Sequence, residues 1–266
     1  MTESALHRAR RLASDALADE PAGILTDFDG TLSPIVADPA QSQPVDGATG
    51  WLAELAARLA VVAVITGRAP TDVRRMLGVP GLLIAGNHGT EWLEPGADRP
   101  EALADAAAIH AQLELVLGRL PVEAGVAVEH KGASLTVHYR NAPDPDAALG
   151  RIETALGALD GSRLEARRGR MSIELRPVGI GDKGTATERV IARFGLRGVV
   201  VMGDDITDLD MFGVLARLRA AGAIRGAIIG VGGADKETPA AVRDAADVML
   251  DDPAQAAELL GLLAST

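Results

Sequence analysis

Apolar runs of strand length occur in the first and last parts of the sequence, and helix-like segments separate them. The runs cover 24–26, 61–65, 82–85, 198–202, 227–231 and 248–250. Strands that are apolar on both faces are typical of a parallel sheet covered by helices on each side. One intervening segment has Trp51, Leu52, Leu55 and Leu59 at helical spacing. The pattern therefore predicts an α/β core of the Rossmann-like, parallel-sheet type.

The middle of the chain has a different pattern, because its expected strands alternate between apolar and polar residues. Leu135, Val137 and Tyr139 alternate with polar neighbours, and Ile173 and Leu175 do the same. Strands are expected at 124–129, 134–140, 163–166 and 171–175. Alternation indicates a sheet with one covered and one open face. We therefore predict a small inserted α+β domain at 94–178, between core segments 1–93 and 179–266.

The N-terminal segment 1–20 mixes acids and bases without an apolar signal core, and we expect a surface helix there.

Two helix starts are predicted from capping residues. Asp46 is expected to cap the helix that contains Trp51. Near the C-terminus, Thr238 is expected to cap a helix with Pro239 at its first position.

Polar residues follow the predicted core strands, at the edge where ligands of parallel sheets collect. Asp27 and Asp29 close the first run, Thr66 closes the second, and Asp204 and Asp208 follow the strand at 198–202. Residues two apart in a strand point to the same side. Asp27 and Asp29 are therefore expected to face one spot, where like charges need a cation or a proton between them.

Lys183 begins the helix that leads back into the core, and it adds a positive charge to the same edge. Each feature alone has a plainer explanation: Thr66 as a helix cap, Lys183 as a solvated lysine, and Asp204 as part of an acidic helix flank. Their joint occurrence at successive strand ends favours a functional site. Carboxylates without thiols or clustered histidines suit a hard cation, Mg²⁺ before Zn²⁺.

Composition excludes several classes of function. The 266-residue chain has a net charge of -11, which argues against a nucleic-acid partner. It contains no cysteine, which excludes disulfides and thiolate metal sites. No apolar run approaches membrane-spanning length, so we expect no membrane partner. The lack of a signal core in segment 1–20 favours a cytoplasmic protein, and we expect a monomer. Aromatic residues are 2% of the chain, so a sugar ligand would be held mainly by polar side chains.

Four core segments together resemble the motifs of the haloacid dehalogenase-like phosphatases. They are Asp27-Phe28-Asp29-Gly30-Thr31-Leu32, Thr66-Gly67-Arg68, Lys183 and Gly203-Asp204-Asp205-Ile206-Thr207-Asp208. Further segments resemble the trehalose-6-phosphate phosphatase branch of that superfamily, namely Gly86-Asn87-His88-Gly89, Glu129-His130-Lys131-Gly132, His138-Tyr139-Arg140 and Glu174-Leu175-Arg176-Pro177. One position departs from the branch, which usually has an acidic residue where this chain has Leu209.

The resemblance implies a mechanism for the core. Asp27 would be the nucleophile that forms an aspartyl-phosphate, and Asp29 would be the general acid and base. Asp29 is expected to stay protonated while Asp27 is ionised, since a neighbouring carboxylate and partial desolvation disfavour its charged form. Thr66 and Lys183 would hold the phosphoryl oxygens. The cofactor Mg²⁺ would be bound by the Asp27 side chain, the Asp29 carbonyl and Asp204, with Asp208 bound directly or through water.

The resemblance also implies a substrate, the small sugar phosphate trehalose 6-phosphate, with the inserted domain as a specificity cap that closes on the core. The residues expected to bind substrate are Arg68, Asn87, His88, Glu129, Lys131, His138, Arg140, Glu174 and Arg176. Plainer alternatives stay open for some of them. Arg68 could anchor its helix, Lys131 could belong to a hairpin turn, and Glu174 and Arg176 could belong to a cross-strand ion pair with another arginine nearby.

Three other functions are compatible with the sequence. The substrate could be another sugar phosphate, such as sucrose phosphate or a glycosyl-phosphoglycerate. The chain could be a phospho-accepting signalling module, although such a module needs neither Asp29 as an acid nor a large inserted domain. It could also be a non-catalytic sugar-phosphate sensor, although the full set of catalytic positions argues against this.

Overall fold

The computed structural model describes residues 3–36, 38–121, 123–131, 134–157, 164–169, 171–177, 182–232 and 238–265. The chain divides into a first unit, Met1–Pro100 with Asp182–Thr266, and a second unit, Glu101–Gly181. These boundaries lie a few residues after those expected from the sequence, at 94 and 178. The first boundary lies later because residues just after 93 still contact the first unit: the Gly96 amide donates to the Pro80 carbonyl at 2.9 Å, and Arg74 Nη2 donates to the Glu94 carbonyl at 3.3 Å.

The helices and strands follow one another along the chain as follows: α1 (Ala5–Leu17), β1 (Ala22–Thr26), α2 (Ala48–Arg58), β2 (Val61–Ile65), α3 (Pro70–Leu77), β3 (Leu83–Gly86), β4 (Glu91–Leu93), β5 (Glu101–Ala102), α4 (Ala104–Leu117), β6 (Ala127–Lys131), β7 (Ser134–His138), α5 (Pro145–Leu156), β8 (Leu164–Gly169), β9 (Ser172–Pro177), α6 (Lys183–Phe194), β10 (Gly198–Gly203), α7 (Leu209–Ala220), β11 (Arg225–Gly230), α8 (Ala240–Ala245), β12 (Val248–Met249) and α9 (Pro253–Ala264). Short 3₁₀ turns at Pro39–Gln41, Asn87–Gly89 and Ile206–Asp208 connect some of them.

The strands of the first unit form a sheet in the order β12-β11-β10-β1-β2-β3-β4. All neighbours are parallel except β3 and β4. Every residue of β1, β2 and β10 is buried, as expected for strands covered on both faces. The chain proceeds in opposite directions from β1, towards β3 on one side and from β10 to β12 on the other. The border of β1 and β10 is therefore the topological switch point, where such sheets bind ligands.

The helices of the first unit bury one face each against this sheet. In α1, Ala9, Ala13 and Ala16 are buried at helical spacing, and the small side chains allow close packing. Helix α3 begins with Pro70 and ends at Gly78 in the left-handed conformation. The structure thus confirms the α/β class with a parallel-sheet core.

Two predicted helix caps are wrong. Helix α2 begins after Gly47, which has a φ of 83° and no side-chain cap, so Asp46 lies one residue too early. Helix α8 begins after Pro239, and Thr238 instead donates a hydrogen bond from its hydroxyl to the carbonyl of Gly232. In both cases a neighbouring residue with a special backbone conformation determines where the helix starts.

The second unit contains a sheet in the order β6-β7-β9-β8, with all neighbours antiparallel. Leu135, Val137, Ile173 and Leu175 are buried in an apolar cluster with residues of α4 and α5. The opposite face carries the polar residues of the same strands, because successive side chains of a strand alternate. β6 begins at Ala127, later than expected from the sequence, since Gly125 forms a turn with a φ of 80°.

Among the helices of the described residues, none combines the length and the apolar character required to cross a membrane.

Candidate active site

The carboxyl ends of β1 and β10 lie side by side and bring two sequence-distant carboxylates together. Thr26 is in register with Met202, and the amide of Asp27 donates to the Met202 carbonyl at 3.0 Å. The residues that follow, Asp27 and Asp204, both line a cavity of about 630 Å³. Asp29, Thr66, His88 and Lys183 also line this cavity. Sheet register alone therefore assembles most of the core residues predicted from the sequence.

Lys183 lies between two of the carboxylates. Its Nζ is 2.9 Å from Asp27 Oδ1 and 2.7 Å from Asp208 Oδ1. Its position is determined by α6, which begins at Lys183 itself and whose N-cap residue Asp182 accepts a hydrogen bond from the Thr185 amide. A buried ammonium needs such partners, because an uncompensated charge in the interior is strongly destabilising.

Asp204 is held by the chain segment that follows Asp29. The Thr31 hydroxyl donates to Asp204 Oδ1 at 2.9 Å. Gly30 has a φ of 78°, and a Cβ at this position would overlap the Asp204 carboxylate. Glycine is required here on both counts, for the left-handed conformation and for the close approach. Thr31 belongs to the predicted motif, but its contact with Asp204 was not predicted.

Asp208 is fully buried, and both of its oxygens are engaged within the protein. Oδ1 accepts from Lys183, and Oδ2 accepts from the backbone amides of Asp204 and Asp205 at 2.9 and 3.0 Å. Asp208 is not among the residues that line the cavity. Its contacts position Lys183 and the loop that carries Asp204.

Burial and neighbouring charges shift the pKa values of these groups. Burial raises the pKa of Asp27 well above its usual value, with Lys183 opposing and the charges of Asp208 and Asp204 adding to the rise. Burial, and next the charge of Asp208, raise the pKa of Asp204 to about 7 against the Thr31 hydrogen bond and the Lys183 charge. Burial lowers the pKa of Lys183, but the charges of Asp208 and Asp27 outweigh it and raise that pKa overall.

The donor set fits a divalent metal ion. Carboxylate oxygens of Asp27, Asp204 and Asp208 all lie within 4.8 Å of one another. If the three carboxylates and the Lys183 ammonium are all ionised, two negative charges remain uncompensated. This excess negative charge disfavours ionisation of the buried carboxylates. A hard divalent cation would supply this charge, and oxygen ligands are those it prefers. Asp27 and Asp204, which face the cavity, are the side chains best placed to hold it.

Thr66 ends the second strand and is buried at the cavity. Its hydroxyl oxygen accepts a hydrogen bond from the Arg68 amide at 3.2 Å. The hydroxyl proton can therefore be donated to an anion in the cavity.

The turn after β3 has two consecutive non-glycine residues in the left-handed conformation, Asn87 with a φ of 49° and His88 with a φ of 56°. Their amides donate to the carbonyls of Arg68 and Thr66 at 2.8 and 2.9 Å. A Cβ at Gly67 would lie 2.9 Å from the His88 ring, so the imidazole packs directly on that glycine. This strained turn holds His88 at the cavity, whereas the buried Asn87 is not among its lining residues.

Arg68 does not line the cavity either, because its guanidinium is engaged with Asp29. Nε and Nη2 of Arg68 each donate to an Asp29 carboxylate oxygen at 2.6 Å, and Nη1 donates to the Pro39 carbonyl at 2.7 Å. The guanidinium also lies over the Phe28 ring, 5.6 Å from its centroid. An arginine fork of this kind pairs with an ionised carboxylate. To act as an acid, Asp29 must therefore first leave Arg68.

The second unit carries the remaining predicted substrate residues. On its polar sheet face, His138 Nε2 lies 3.0 Å from Glu129 Oε2. Arg176 pairs across the strands with Glu165 at 2.6 Å rather than with Glu174. Arg140 lies beyond the end of β7 and is exposed. Lys131 is the last residue of β6; its side chain, like residue Gly132, lies outside the described part of the structure.

Comparisons with known sequences show which family has these features. The trehalose-phosphatase family model matches residues 25–245. A trehalose-phosphate phosphatase of Mycobacterium avium (strain 104) is 41% identical over 261 residues, which cover 94% of this chain and 64% of that protein. The chain therefore spans less than two thirds of the length of that relative, and relatives from other mycobacteria are covered to a similar extent.

Solved structures show the same similarity. The Aspergillus fumigatus trehalose-6-phosphate phosphatase has a TM-score of 0.73 at 27% identity, with 96% of this chain and 97% of that chain covered. A haloacid dehalogenase-like hydrolase from Bacteroides thetaiotaomicron has the same fold, with a TM-score of 0.61 at 13% identity over 92% and 99% of the two chains. The fold is thus that of the haloacid dehalogenase-like hydrolases. Within them, the chain belongs to the trehalose-phosphatase family, as its sequence motifs indicated.

Proposed function

We propose that this protein is a divalent-metal-dependent phosphatase that hydrolyses trehalose 6-phosphate to trehalose and inorganic phosphate. One observation carries the proposal: Asp27 ends a central strand beside Asp204, with the Lys183 ammonium 2.9 Å from its carboxylate. This combination provides a nucleophile, a metal-binding carboxylate and a phosphate-binding cation in one cavity. Membership of the trehalose-phosphatase family supports the choice of substrate.

The first step is attack of an Asp27 carboxylate oxygen on phosphorus. Asp29, after leaving Arg68 and taking up a proton from solvent, donates that proton to the sugar oxygen as the bond between phosphorus and this oxygen breaks. The product is an aspartyl-phosphate, which splits one difficult displacement into two easier ones. Thr66 and Lys183 stabilise the charge that develops on the phosphoryl oxygens.

In the second step Asp29 takes a proton from a water molecule, which attacks the aspartyl-phosphate and releases phosphate and free Asp27. Both proton transfers require Asp29 to exchange its pairing with Arg68 for contact with the substrate. We propose that Arg68 positions Asp29 between turnovers and does not itself bind phosphate. The distances of 2.6 Å between their side chains support this role.

The metal would be held by the side chains of Asp27 and Asp204 and, as in the family, by the Asp29 carbonyl. When bound, a divalent cation such as Mg²⁺ supplies the positive charge that lets a dianionic phosphate ester approach an anionic carboxylate. Asp208 would act on this site through Lys183 and the loop amides, which engage both of its oxygens.

The sugar part of the substrate would be held by the polar sheet face of the second unit. Glu129, His138 and Glu174 provide acceptors and a donor for sugar hydroxyls on that face. Arg176 is paired with Glu165, so we assign it to holding the sheet face rather than to a direct sugar contact. His88, at the cavity of the first unit, is the further candidate for contact with the substrate.

The experiment is phosphate release from trehalose 6-phosphate, sucrose 6-phosphate and glucose 6-phosphate, with Mg²⁺ and with excess chelator. We expect the highest kcat/KM for trehalose 6-phosphate and loss of activity in chelator, restored by Mg²⁺. A higher kcat/KM for another sugar phosphate would support the proposed reaction and contradict the proposed substrate. A stable phosphoprotein without phosphate release would contradict the proposed hydrolase.

A further inference from the structure

A row of four residues crosses the polar face of the sheet in the second unit, one from each strand. Thr136 is in register with Glu129 of β6 on one side and with Glu174 of β9 on the other. Glu174 is in register with Arg167 of β8. Residues in register lie on the same face of a sheet, a few ångströms apart. The Thr136 hydroxyl is therefore flanked by the two carboxylates that we assign to sugar binding.

Thr136 is 6% exposed, and its hydroxyl oxygen has no hydrogen-bond partner among the described residues. Buried hydroxyls are normally paired, and one that is not requires an explanation. The buried threonines of the first unit are paired: Thr31 donates to Asp204 and Thr187 donates to the Lys183 carbonyl.

Two other buried atoms lack a partner among the described residues, Nε of Arg74 and Oε1 of Glu123. Each belongs to a side chain with a second polar atom that is bonded, since Arg74 Nη2 donates to the Leu82 carbonyl and Glu123 Oε2 accepts from Arg151. Thr136 has a single polar side-chain atom. Its whole hydrogen-bonding capacity is therefore unused among the described residues, in the centre of the face proposed for the sugar.

We infer that the Thr136 hydroxyl is a specificity-determining contact, which donates a hydrogen bond to a sugar hydroxyl held between Glu129 and Glu174. This inference rests on the proposed function. The chemistry of the groups is complementary: a sugar hydroxyl that donates its proton to a glutamate retains lone pairs that can accept from Thr136. Between Glu129 and Glu174, which can only accept when ionised, the buried threonine supplies a donor.

The test compares Thr136→Val, which keeps the branched shape without the hydroxyl, with Thr136→Ser, which keeps the hydroxyl. For Thr136→Val we expect KM for trehalose 6-phosphate to rise about five- to tenfold, the size of one neutral hydrogen bond. The ratio of kcat/KM for trehalose 6-phosphate to that for p-nitrophenyl phosphate should fall by the same factor. Thr136→Ser should stay within about twofold of wild type.

A thermal melt separates this role from a structural one. Replacing an unpaired buried hydroxyl by a methyl group is neutral or stabilising, so the Tm of Thr136→Val should equal or exceed that of wild type. A lower Tm with an unchanged substrate ratio would overturn the inference, because the hydroxyl would then serve the fold. Thr154→Val is the matched control, since its hydroxyl bonds to the Gly150 carbonyl within α5, and its substrate ratio should not change.

Failure of the inference can be distinguished from failure of the proposed function. If the wild-type protein hydrolyses p-nitrophenyl phosphate but not trehalose 6-phosphate, both are overturned. If the wild type hydrolyses both and Thr136→Val keeps the wild-type ratio, the role of Thr136 alone is overturned.

Discussion

The charged groups of the two units differ in how they are held. At the strand ends of the first unit, the side chains of Lys183, Asp27 and Asp208 are 3%, 7% and 0% exposed, and they contact one another. On the sheet face of the second unit, His138 and Glu129 form a pair whose side chains are 46% and 52% exposed. The first cluster is part of the interior, whereas the second lies in solvent.

This difference indicates what each region can do. Buried charges have few alternative partners, so the fold itself determines the geometry of the reacting groups before substrate binds. Exposed ion pairs contribute little to stability, so their side chains could exchange one another and water for the hydroxyls of the proposed sugar substrate at low cost. In the proposed function, catalysis therefore depends on buried charges and substrate recognition on exposed ones, and the following predictions test that division.

The largest effect is expected for Asp27→Asn. Removal of the proposed nucleophile should lower phosphate release at least about a thousandfold, measured in the presence of Mg²⁺. The fold should persist, because Lys183 keeps Asp208 as a partner at 2.7 Å. A circular-dichroism melt checks this, and a variant with more than a few per cent of wild-type activity would contradict the assignment.

The next effect concerns stability. Lys183→Met leaves two buried carboxylates without their cation and should lower the free energy of unfolding by about 3–5 kcal/mol. The matched change in the second unit is Arg168→Met, which removes an exposed pair with Glu153 and should cost less than about 1 kcal/mol. Urea unfolding measures both. Equal losses would mean that burial does not distinguish the two regions.

Stability should also depend on pH and on metal through Asp204. Its pKa is raised to about 7, so the folded state binds this proton more tightly than the unfolded state. Without metal, its contribution is fully present below about pH 4 and is lost as pH rises through 7, on the order of a few kcal/mol. Mg²⁺ should stabilise the protein more at pH 8 than at pH 5.

Asp204→Asn is the control for that dependence. It should flatten the fall in the free energy of unfolding between pH 4 and pH 8 and reduce the stabilisation by Mg²⁺, both measured by urea unfolding. An unchanged pH profile in this variant would show that other groups cause the dependence.

The smallest effect of this series is expected on the sheet face of the second unit. Glu129→Gln and Glu174→Gln should each lower kcat/KM for trehalose 6-phosphate about ten- to a hundredfold, the loss of one hydrogen bond to a charged group. Turnover of p-nitrophenyl phosphate should fall much less. Equal losses on the two substrates would indicate that these residues support the fold or the chemistry rather than sugar recognition.

Much of the first unit could be predicted from the sequence, because its signals are local. Buried parallel strands are continuous apolar runs, and the polar residues that end them are adjacent in sequence, as Thr26 and Asp27 are. Once the strands pair in the observed order, Asp27 and Asp204 must lie side by side. The parallel-sheet class and the membership of the family follow from such patterns.

The residues at which two helices start could not be predicted from local sequence patterns. Asp46 and Thr238 have the composition of caps, but the conformations of Gly47 and Pro239 determine where the helices begin. The capping propensity of one residue is a weak guide to where a helix starts when the backbone of a neighbouring residue is more restricted or more permissive.

The sequence by itself determined which chemical groups this protein has at its strand ends and the family to which it belongs. Only the tertiary structure decided which of these groups contact one another. The pairing of Arg68 with Asp29 and the contact of Asp208 with Lys183 join residues far apart in the chain, and the Thr136 hydroxyl has no partner among the described residues. Such contacts are determined by side-chain packing and burial in three dimensions, and no local pattern of residues encodes them.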